Sequence, residues 1–185
     1  VMAVDALGAD NVVCLALPSK FNSSASLDDA KQLSENLGST LETIGIQEII
    51  DKVDQRLSPL FQGKKRDVTE ENIQSRLRAV LLMAFSNKEK HLLLSTGNKS
   101  EIAVGYSTIY GDMIGAILPI GDLTKIEVYN LCEYINKQDN LIPQNILDKT
   151  PSAELSPNQV DPFDYKHVSP IIDKFITSNH NTELS

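Results

Sequence analysis

A short polar turn follows an apolar run in the middle of the chain. Residues 91–95 read HLLLS, and residues 96–101 then place a hydroxyl, an amide, a cation and a carboxylate within six positions. Backbone amides at such a turn favour a negatively charged group, whereas the Glu101 carboxylate favours a metal cation. The two together are typical of a phosphate and magnesium site. The alternative is a helix cap, with Thr96 or Asn98 as the first residue and Glu101 completing the first turn.

A second pair of residues lies on one face of a predicted helix. Asn72 and Arg76 are four positions apart in the segment 69–88, so their side chains point to the same side, at the edge of an apolar stripe. A guanidinium beside an amide can bind a carboxylate or a phosphate through parallel hydrogen bonds. The alternative is a solvated helix edge on which Arg76 pairs with Glu71 or another acid. The residues alone leave both interpretations open.

The composition is that of a soluble globular protein. The chain has 185 residues, 41% of them hydrophobic and 23% charged, which fits one domain, 1–185, with a substantial core. The formal net charge of −8 argues against binding of nucleic acid through a broad basic surface. Because no apolar run reaches the roughly 18 residues that span a bilayer, no membrane partner is expected.

The cysteines and the start of the chain indicate the compartment. Cys14 and Cys132 are far apart and each lies in an apolar pattern, which predicts buried, reduced thiols and neither a disulfide nor a zinc site. No signal peptide is recognisable, so we expect a cytoplasmic protein.

The chain opens at Val1 inside a helical pattern that ends at Gly8, which predicts a piece of a longer polypeptide.

Apolar runs alternate with amphipathic segments along the chain. Residues 11–19 form a continuous apolar run, which predicts a strand buried on both faces. Shorter strands are expected over 39–46 and 91–95, and 115–120 is a further apolar run. Strands alternating with capped helices predict an α/β fold, in which a parallel sheet is flanked by helices on both faces.

The helices between these runs have recognisable start signals. We predict helices over 26–37 with Ser26 as the cap, over 47–61, over 69–88 with Thr69 as the cap, over 124–137 with Thr124 and Glu127 as a capping box, and from Pro170 onward. In the 69–88 helix one apolar stripe is expected, made of Ile73, Leu77, Val80, Leu81 and Ala84.

Four linked motifs carry a resemblance to a known family. They are ENIQSRLR (71–78), LLLSTGNKSEIAVGYSTIYGD (92–112), LPIGDLTKIEVYNL (118–131) and KTPSAELSPNQ (149–159). In their order the chain resembles the NAD synthetases over about residues 1–175, and it is most similar to the synthetase domain of the glutamine-dependent type.

The resemblance implies a fold and a reaction. It implies the adenine nucleotide alpha-hydrolase-like fold of the ATP pyrophosphatases, usually as a homodimer or higher homo-oligomer. The family uses ATP and Mg²⁺ to adenylate the nicotinate carboxylate of deamido-NAD, with release of pyrophosphate. Ammonia, which can come from glutamine, then displaces AMP and leaves NAD.

The resemblance also implies roles for single residues. Asn72, Arg76, Glu101 and Asp112 correspond to deamido-NAD contacts, and Glu101 also to a magnesium ligand; Thr96, Lys125 and Ser152 correspond to ATP contacts; no catalytic residue is assigned. Taken singly, Lys125 is equally an exposed first-turn residue, Ser152 a turn former beside Pro151, and Asp112 a turn acid beside Gly111. The remaining titratable candidates, His91, His167 and His180, have no counterpart and are expected to be structural or exposed.

The chain departs from the family pattern in three places. The family's Ser-Gly-Gly-x-Asp-Ser phosphate loop, whose aspartate binds magnesium, should lie just before Val1 and is not found in residues 1–185. The basic segment that usually lies near the family's C-terminus has no counterpart before Ser185. Ile109 stands where some relatives carry lysine. Without the loop, residues 1–185 are expected to fold but to be inactive. The alternatives are another ATP pyrophosphatase, such as GMP synthetase or a tRNA-thiolating enzyme, and an inactive dimerising fragment.

Overall fold

The structure confirms the predicted α/β class. It is a computed structural model that describes residues 1–180. The helices are α1 (Met2–Leu7), α2 (Ser24–Leu37), α3 (Gln47–Leu57), α4 (Val68–Glu89), α5 (Lys99–Ala103), α6 (Lys125–Asp139), α7 (Gln144–Asp148) and α8 (Tyr165–His180), and the strands are β1 (Val13–Ala16) and β2 (Thr40–Thr43). Within the described residues no helix combines the length and the apolar character needed to cross a lipid bilayer.

The sheet is smaller and more open than the sequence predicts. β1 and β2 run parallel, in register from Val13 opposite Thr40 to Ala16 opposite Thr43. β1 is half-buried at every position, so the expected burial on both faces is wrong. The reason is that, within residues 1–180, β1 pairs with β2 alone and its other edge is open. The same half-burial applies to the free thiols of Cys14 and Cys132, which were expected to be buried.

The predicted strand over 91–95 is reduced to a single bridge. Leu94 pairs with Ile117 in the parallel sense. The amide of Ser95 donates to the carbonyl of Ile117 at 2.9 Å, and the amide of Ala116 donates to the carbonyl of Leu93 at 2.8 Å. These contacts are enough to place the polar turn 96–101 directly after a parallel pairing.

Several helices begin earlier than predicted. Ser23, not Ser26, caps α2, because its hydroxyl accepts the Ser26 amide at 3.2 Å. Asp67, not Thr69, caps α4, because its carboxylate accepts the Thr69 amide at 2.8 Å while Glu70 reaches back to the Asp67 amide. The Asp67 carboxylate, and not the hydroxyl of Thr69 two residues later, therefore accepts a hydrogen bond from a free amide of the first helical turn. The box of Thr124 and Glu127 that starts α6 is confirmed.

The last helix also begins before its predicted start. α8 starts at Tyr165, and Pro170 lies inside it. Asp164 accepts the amide of Lys166 at 3.0 Å just before this start. One interior hydrogen bond is absent at Pro170, since proline has no amide hydrogen.

The apolar core lies between the end of β1, α3 and α4. Leu17, Ile46 and Ile50 are buried, and three leucines of α4 pack on them: Leu77, Leu81 and Leu82. The predicted stripe is partly wrong, because Val80 is 64% exposed and Ala84 is exposed as well. The most buried residues of α4 are instead Gln74, Ser75 and Ala79. The first half of α4 therefore turns polar side chains toward the interior.

Thr124 and Thr69 were both predicted to cap helices, so substitution of each gives a matched test of stability. Thr124 is 2% exposed and exchanges hydrogen bonds with Glu127, whereas Thr69 is exposed and is not the cap of α4. We expect Thr124→Ala to lower the free energy of unfolding by about 1 kcal/mol, since a cap is lost, and Thr69→Ala to change it by less than about 0.5 kcal/mol. Urea denaturation measures both, and equal losses would contradict these cap positions.

Candidate active site

Asn72 and Arg76 lie where α4 meets the loop 108–112. The hydroxyl of Thr108 donates to the Asn72 side-chain oxygen at 2.7 Å. Nε of Arg76 donates to the carbonyl of Ile109 at 3.2 Å, and the Arg76 side chain is exposed. The partner of Arg76 is thus a backbone carbonyl and not an acid of its own helix. The pair does share one face of α4, and that face contacts the loop 108–112.

Asp112 belongs to the same group. Its Oδ2 accepts from the hydroxyl of Ser75 at 3.2 Å, and its Oδ1 accepts from the amide of Thr108 at 2.8 Å. A Cβ on Gly111 would lie 2.4 Å from the Ser75 oxygen, so only glycine lets this loop approach α4 so closely. Asp112 is therefore a turn acid that is also fixed against α4.

Glu101 combines a helix cap with an ion pair. The Asn98 side-chain oxygen accepts the Glu101 amide at 3.0 Å, and Glu101 Oε2 accepts the Asn98 amide at 3.2 Å. Asn98 is thus the cap of α5, whereas Thr96 is exposed and does not cap it. Glu101 Oε1 accepts from Nζ of Lys125 at 2.9 Å, and each side chain of this pair is 21% exposed.

Lys125 is held by three helices at the start of α6. Its amide donates to the hydroxyl of Ser100 at 3.0 Å, and the Ser100 oxygen lies 3.2 Å from that of Ser169 in α8. Ser100 is fully buried. Nζ of Lys125 lies 5.4 Å from the ring centre of Tyr165, a cation–π contact. Lys125 is consequently half-buried and oriented, not an exposed first-turn residue.

The residues around Glu101 provide one carboxylate for a metal ion. Within residues 1–180 no three or more His, Cys, Asp or Glu side chains form a group that could hold a metal. Both oxygens of Glu101 already accept hydrogen bonds. Mg²⁺ often takes only one or two protein carboxylates and completes its shell with substrate phosphates and water. The Glu101 carboxylate fits the role of protein ligand for such an ion, provided that Nζ of Lys125 moves away from Oε1.

Ser152 lies in residues 149–161, which we call the strap. The Ser152 hydroxyl donates to the carbonyl of Gln159 at 2.6 Å and accepts the amide of Glu154 at 3.1 Å. It closes a turn, as the simpler interpretation expects. Among the described residues no contact joins Ser152 or Thr96 directly to the Glu101–Lys125 pair or to the Asn72 group.

The motif ENIQSRLR contains two further residues to which sequence reasoning assigned no role. Gln74 is 1% exposed; it donates to the carbonyl of Leu155 in the strap at 2.8 Å and accepts from the hydroxyl of Ser19 at 3.2 Å. Arg78 donates to the carbonyl of Leu17 at 3.0 Å, and burial lowers its pKa below the usual value despite the charge of Glu154. The four-residue spacing of Gln74 and Arg78 places them on one face of α4, and this was the sequence feature that could have indicated a shared role.

A cavity of about 290 Å³ lies beside Arg78. It is lined by Leu15, Ala16, Leu17, Pro18, Asn22, Ser26, Leu27, Ala30, Arg78 and Leu82. It adjoins the carboxyl end of β1, where parallel α/β sheets bind their ligands. A more polar cavity of about 850 Å³ next to the end of α3 contains none of the predicted site residues.

Tyr106 is half-buried, and its ring packs edge-on against that of Phe163 with 5.5 Å between ring centres. Burial, followed by the negative charge of Asp161, raises the pKa of Tyr106 to about 12, and the charges of Glu71 and Glu101 add to the rise. The Tyr165 hydroxyl donates to Asp161 at 2.9 Å. Acidic residues of α4 and of α5 thus both contribute to the raised pKa of this half-buried tyrosine.

Two of the three histidines are exposed, as the sequence predicts. His91 is exposed and its ring stacks on Phe85 with 5.8 Å between ring centres. His167 is exposed and its Nδ1 lies 2.7 Å from Asp164. The side chain of His180 lies outside the described residues.

Comparisons with known proteins identify similar chains. The glutamine-dependent NAD(+) synthetase of Synechocystis sp. is 51% identical over 160 residues, which cover 86% of this chain but only 29% of that relative. A glutamine-dependent NAD+ synthetase of Acinetobacter baumannii, solved with adenosine diphosphate, is 31% identical with a TM-score of 0.79 and covers 100% of this chain and 39% of that one.

A solved NMN synthetase from Francisella tularensis is also similar. It is 32% identical with a TM-score of 0.76, over 94% of this chain and 68% of that one. The family model described as NAD synthase matches residues 1–184. The chain therefore belongs to the NAD synthase family.

Proposed function

We propose that the protein containing this chain makes NAD from deamido-NAD, ATP and ammonia. The observation that carries the proposal is the half-buried pair of Glu101 and Lys125, directly after a parallel pairing and at the start of two helices. Such a pair offers one cation for phosphate and one carboxylate for magnesium. The family membership and the ADP-bound relative support the nucleotide assignment.

In this proposal ATP binds on the Lys125 side. Lys125 exchanges Glu101 for phosphate oxygens, and Thr96 and Ser152 offer hydroxyls to the same nucleotide. Glu101, released from Lys125, becomes the protein ligand of Mg²⁺. The ion, when bound, offsets negative charge on the phosphates, which favours departure of pyrophosphate.

Deamido-NAD binds on the α4 side. The terminal guanidinium nitrogens of exposed Arg76 face solvent beside Asn72, where they can bind a phosphate or the nicotinate carboxylate. In this proposal Asp112 and Glu101 complete the deamido-NAD contacts, since each can accept hydrogen bonds from ribose hydroxyls.

The proposed chemistry needs positioning and charge neutralisation more than a proton-transfer group. A carboxylate oxygen of deamido-NAD attacks the α-phosphorus of ATP and forms an acyl adenylate, while pyrophosphate leaves. Ammonia then attacks the carbonyl carbon, AMP leaves, and one proton is lost from nitrogen. Lys125 and Arg76 reduce the repulsion between two anionic substrates.

Four further features are part of the proposal. The name of the Synechocystis relative supports glutamine as the source of ammonia. A homodimer and a cytoplasmic location stay predictions, which light scattering and cell fractionation test. Inactivity of residues 1–185 on their own also stays a prediction.

A second candidate is the amidation of a mononucleotide. The similarity to an NMN synthetase favours it, because the two reactions would amidate the same nicotinate carboxylate. The dinucleotide stays our first choice because the α4 side and the Lys125 side are separate groups, which suits a substrate that extends beyond one nucleotide.

One assay decides between these substrates. We expect the full-length protein to form NAD and AMP from deamido-NAD with a kcat/KM at least about tenfold higher than for nicotinate mononucleotide, and no product from xanthosine monophosphate. Product analysis by mass spectrometry measures all three. Preference for the mononucleotide would support the second candidate, and preference for xanthosine monophosphate would indicate a GMP synthetase.

Glu127 occupies the same position in a capping box as Glu101, so it provides a control for the role of Glu101. Both Glu101 and Glu127 complete capping boxes, but only Glu101 pairs with Lys125. We expect Glu101→Gln to reduce turnover at least about 100-fold and to weaken the magnesium dependence, because a neutral amide cannot replace a metal-binding carboxylate. Glu127→Gln should stay within about twofold, since only a cap is altered. Near-normal turnover of Glu101→Gln would refute the assignment.

Arg76 should distinguish the two substrates. A lost charge-assisted contact costs roughly 1.5–3 kcal/mol, so Arg76→Ala should weaken deamido-NAD binding about tenfold or more. ATP binding should change less. Exposed Arg56, on α3, provides a control substitution of the same kind. Titration calorimetry measures both ligands, and a loss confined to ATP would mean that the two sites are assigned the wrong way round.

A further inference from the structure

A carboxylate of the strap is bound by several side chains from distant parts of the chain. Oε2 of Glu154 accepts a hydrogen bond from the side-chain nitrogen Nδ2 of Asn22 at 3.0 Å. Its Oε1 accepts from the hydroxyls of Ser26 at 2.8 Å and Ser23 at 3.3 Å. Lys149, at the start of the strap, also pairs with Glu154. Because Ser23 and Ser26 begin α2, the negative charge lies at the positive end of that helix.

The backbone and the charge of Glu154 both indicate a held conformation. Its φ is +50°, a region that residues other than glycine seldom adopt without local contacts that hold them there. Burial alone would raise the pKa of Glu154, but the hydrogen bonds from Lys149, Asn22 and Ser26 outweigh it and lower the pKa. The carboxylate is therefore ionised at neutral pH and attracted to all of its partners.

The backbone of Glu154 is hydrogen-bonded to the Ser152 side chain. The Glu154 amide donates to the Ser152 hydroxyl at 3.1 Å, so the conformation of one residue sets the direction of the other side chain. A second attachment follows at once, since buried Gln74 of α4 binds the carbonyl of Leu155 at 2.8 Å. A third joins Gln159 to Glu71 at 3.3 Å. The strap is thus fixed to α2 on one side and to α4 on the other.

We propose that Glu154 is a positioning residue for the nucleotide site, which orients Ser152 by holding the strap against the start of α2. The proposal rests on the proposed function, in which Ser152 contacts ATP. Glu154 itself touches no substrate. Its contribution is to keep the Ser152 hydroxyl from sampling other directions before ATP binds, which improves affinity by reducing the cost of ordering the strap.

The test uses substitutions in the full-length protein. Glu154→Gln keeps the size of the side chain and removes its charge, and Ser26→Ala removes one partner while leaving Glu154 intact. Glu133→Gln on α6 is the matched control, because Glu133 is exposed. Hydrogen–deuterium exchange of strap peptides measures attachment, and calorimetry measures the dissociation constants of ATP and deamido-NAD separately.

We expect exchange in the strap to accelerate about tenfold in Glu154→Gln, with unchanged exchange in α6. ATP binding should weaken by about tenfold, and deamido-NAD binding by less than about twofold. Ser26→Ala should show smaller changes in the same direction, and Glu133→Gln none. Equal weakening of both ligands would mean that Glu154 is only structural, and would overturn the proposal.

Other outcomes separate this proposal from the function on which it rests. Unchanged strap exchange, or unchanged ATP affinity with faster exchange, overturns the positioning role while the synthetase assignment stands. If the wild-type protein binds ATP in the Glu154-dependent way but forms no NAD, the synthetase assignment fails and the positioning role stands. A wild-type protein that binds no ATP overturns both.

Discussion

The geometry of α4 is the constraint on which the rest of the structure depends. Its period of about 3.6 residues sends Asn72 and Arg76 toward the loop 108–112 and sends Gln74 and Arg78 toward the end of β1 and the strap. A single helix therefore joins the end of β1, the loop 108–112 and the strap. The leucines that come next along α4 anchor it to Ile46 and Ile50, so the polar face is held in place by the apolar one.

The pair of Glu101 and Lys125 shows how a polar turn can be stable and still offer the charges that the proposed reaction needs. A partly exposed ion pair contributes little to stability, typically about 0–1 kcal/mol. Glu101 keeps its capping bond to Asn98 whether or not Lys125 is present, since different oxygens make the two contacts. Lys125 can thus move to another anion without unravelling α5. A site built in this way offers its charges at small cost to the fold.

The sequence predicted what depends on local pattern. The capping box at Thr124, the shared face of Asn72 and Arg76 and the alternation of apolar runs with helices follow from spacing alone, and the structure agrees. The caps of α2 and α4 were misplaced because several hydroxyl and acidic residues cluster at each start, and only three-dimensional geometry selects one. The half-burial of β1 could not be read from VCLA, since burial depends on which strands lie beside it.

The site was harder to predict for a physical reason. The contact of Lys125 with Glu101 joins residues 24 positions apart, and that of Glu154 with Ser26 joins residues 128 apart. No periodicity spans such distances, so the family resemblance supplied residues that spacing could not. It did not assign Gln74, Arg78 or Glu154, although all three lie inside its motifs, and their contacts with Leu155, Leu17 and Ser26 became visible only in the structure.

The most direct test of the account is a crystal structure of the full-length protein with Mg²⁺ and an ATP analogue whose α,β-bridge resists cleavage. The account predicts that Nζ of Lys125 leaves Glu101 for a phosphate oxygen, and that the released Glu101 oxygen binds the metal ion. Triphosphate bound elsewhere, with the 2.9 Å contact of Lys125 and Glu101 intact, would contradict it.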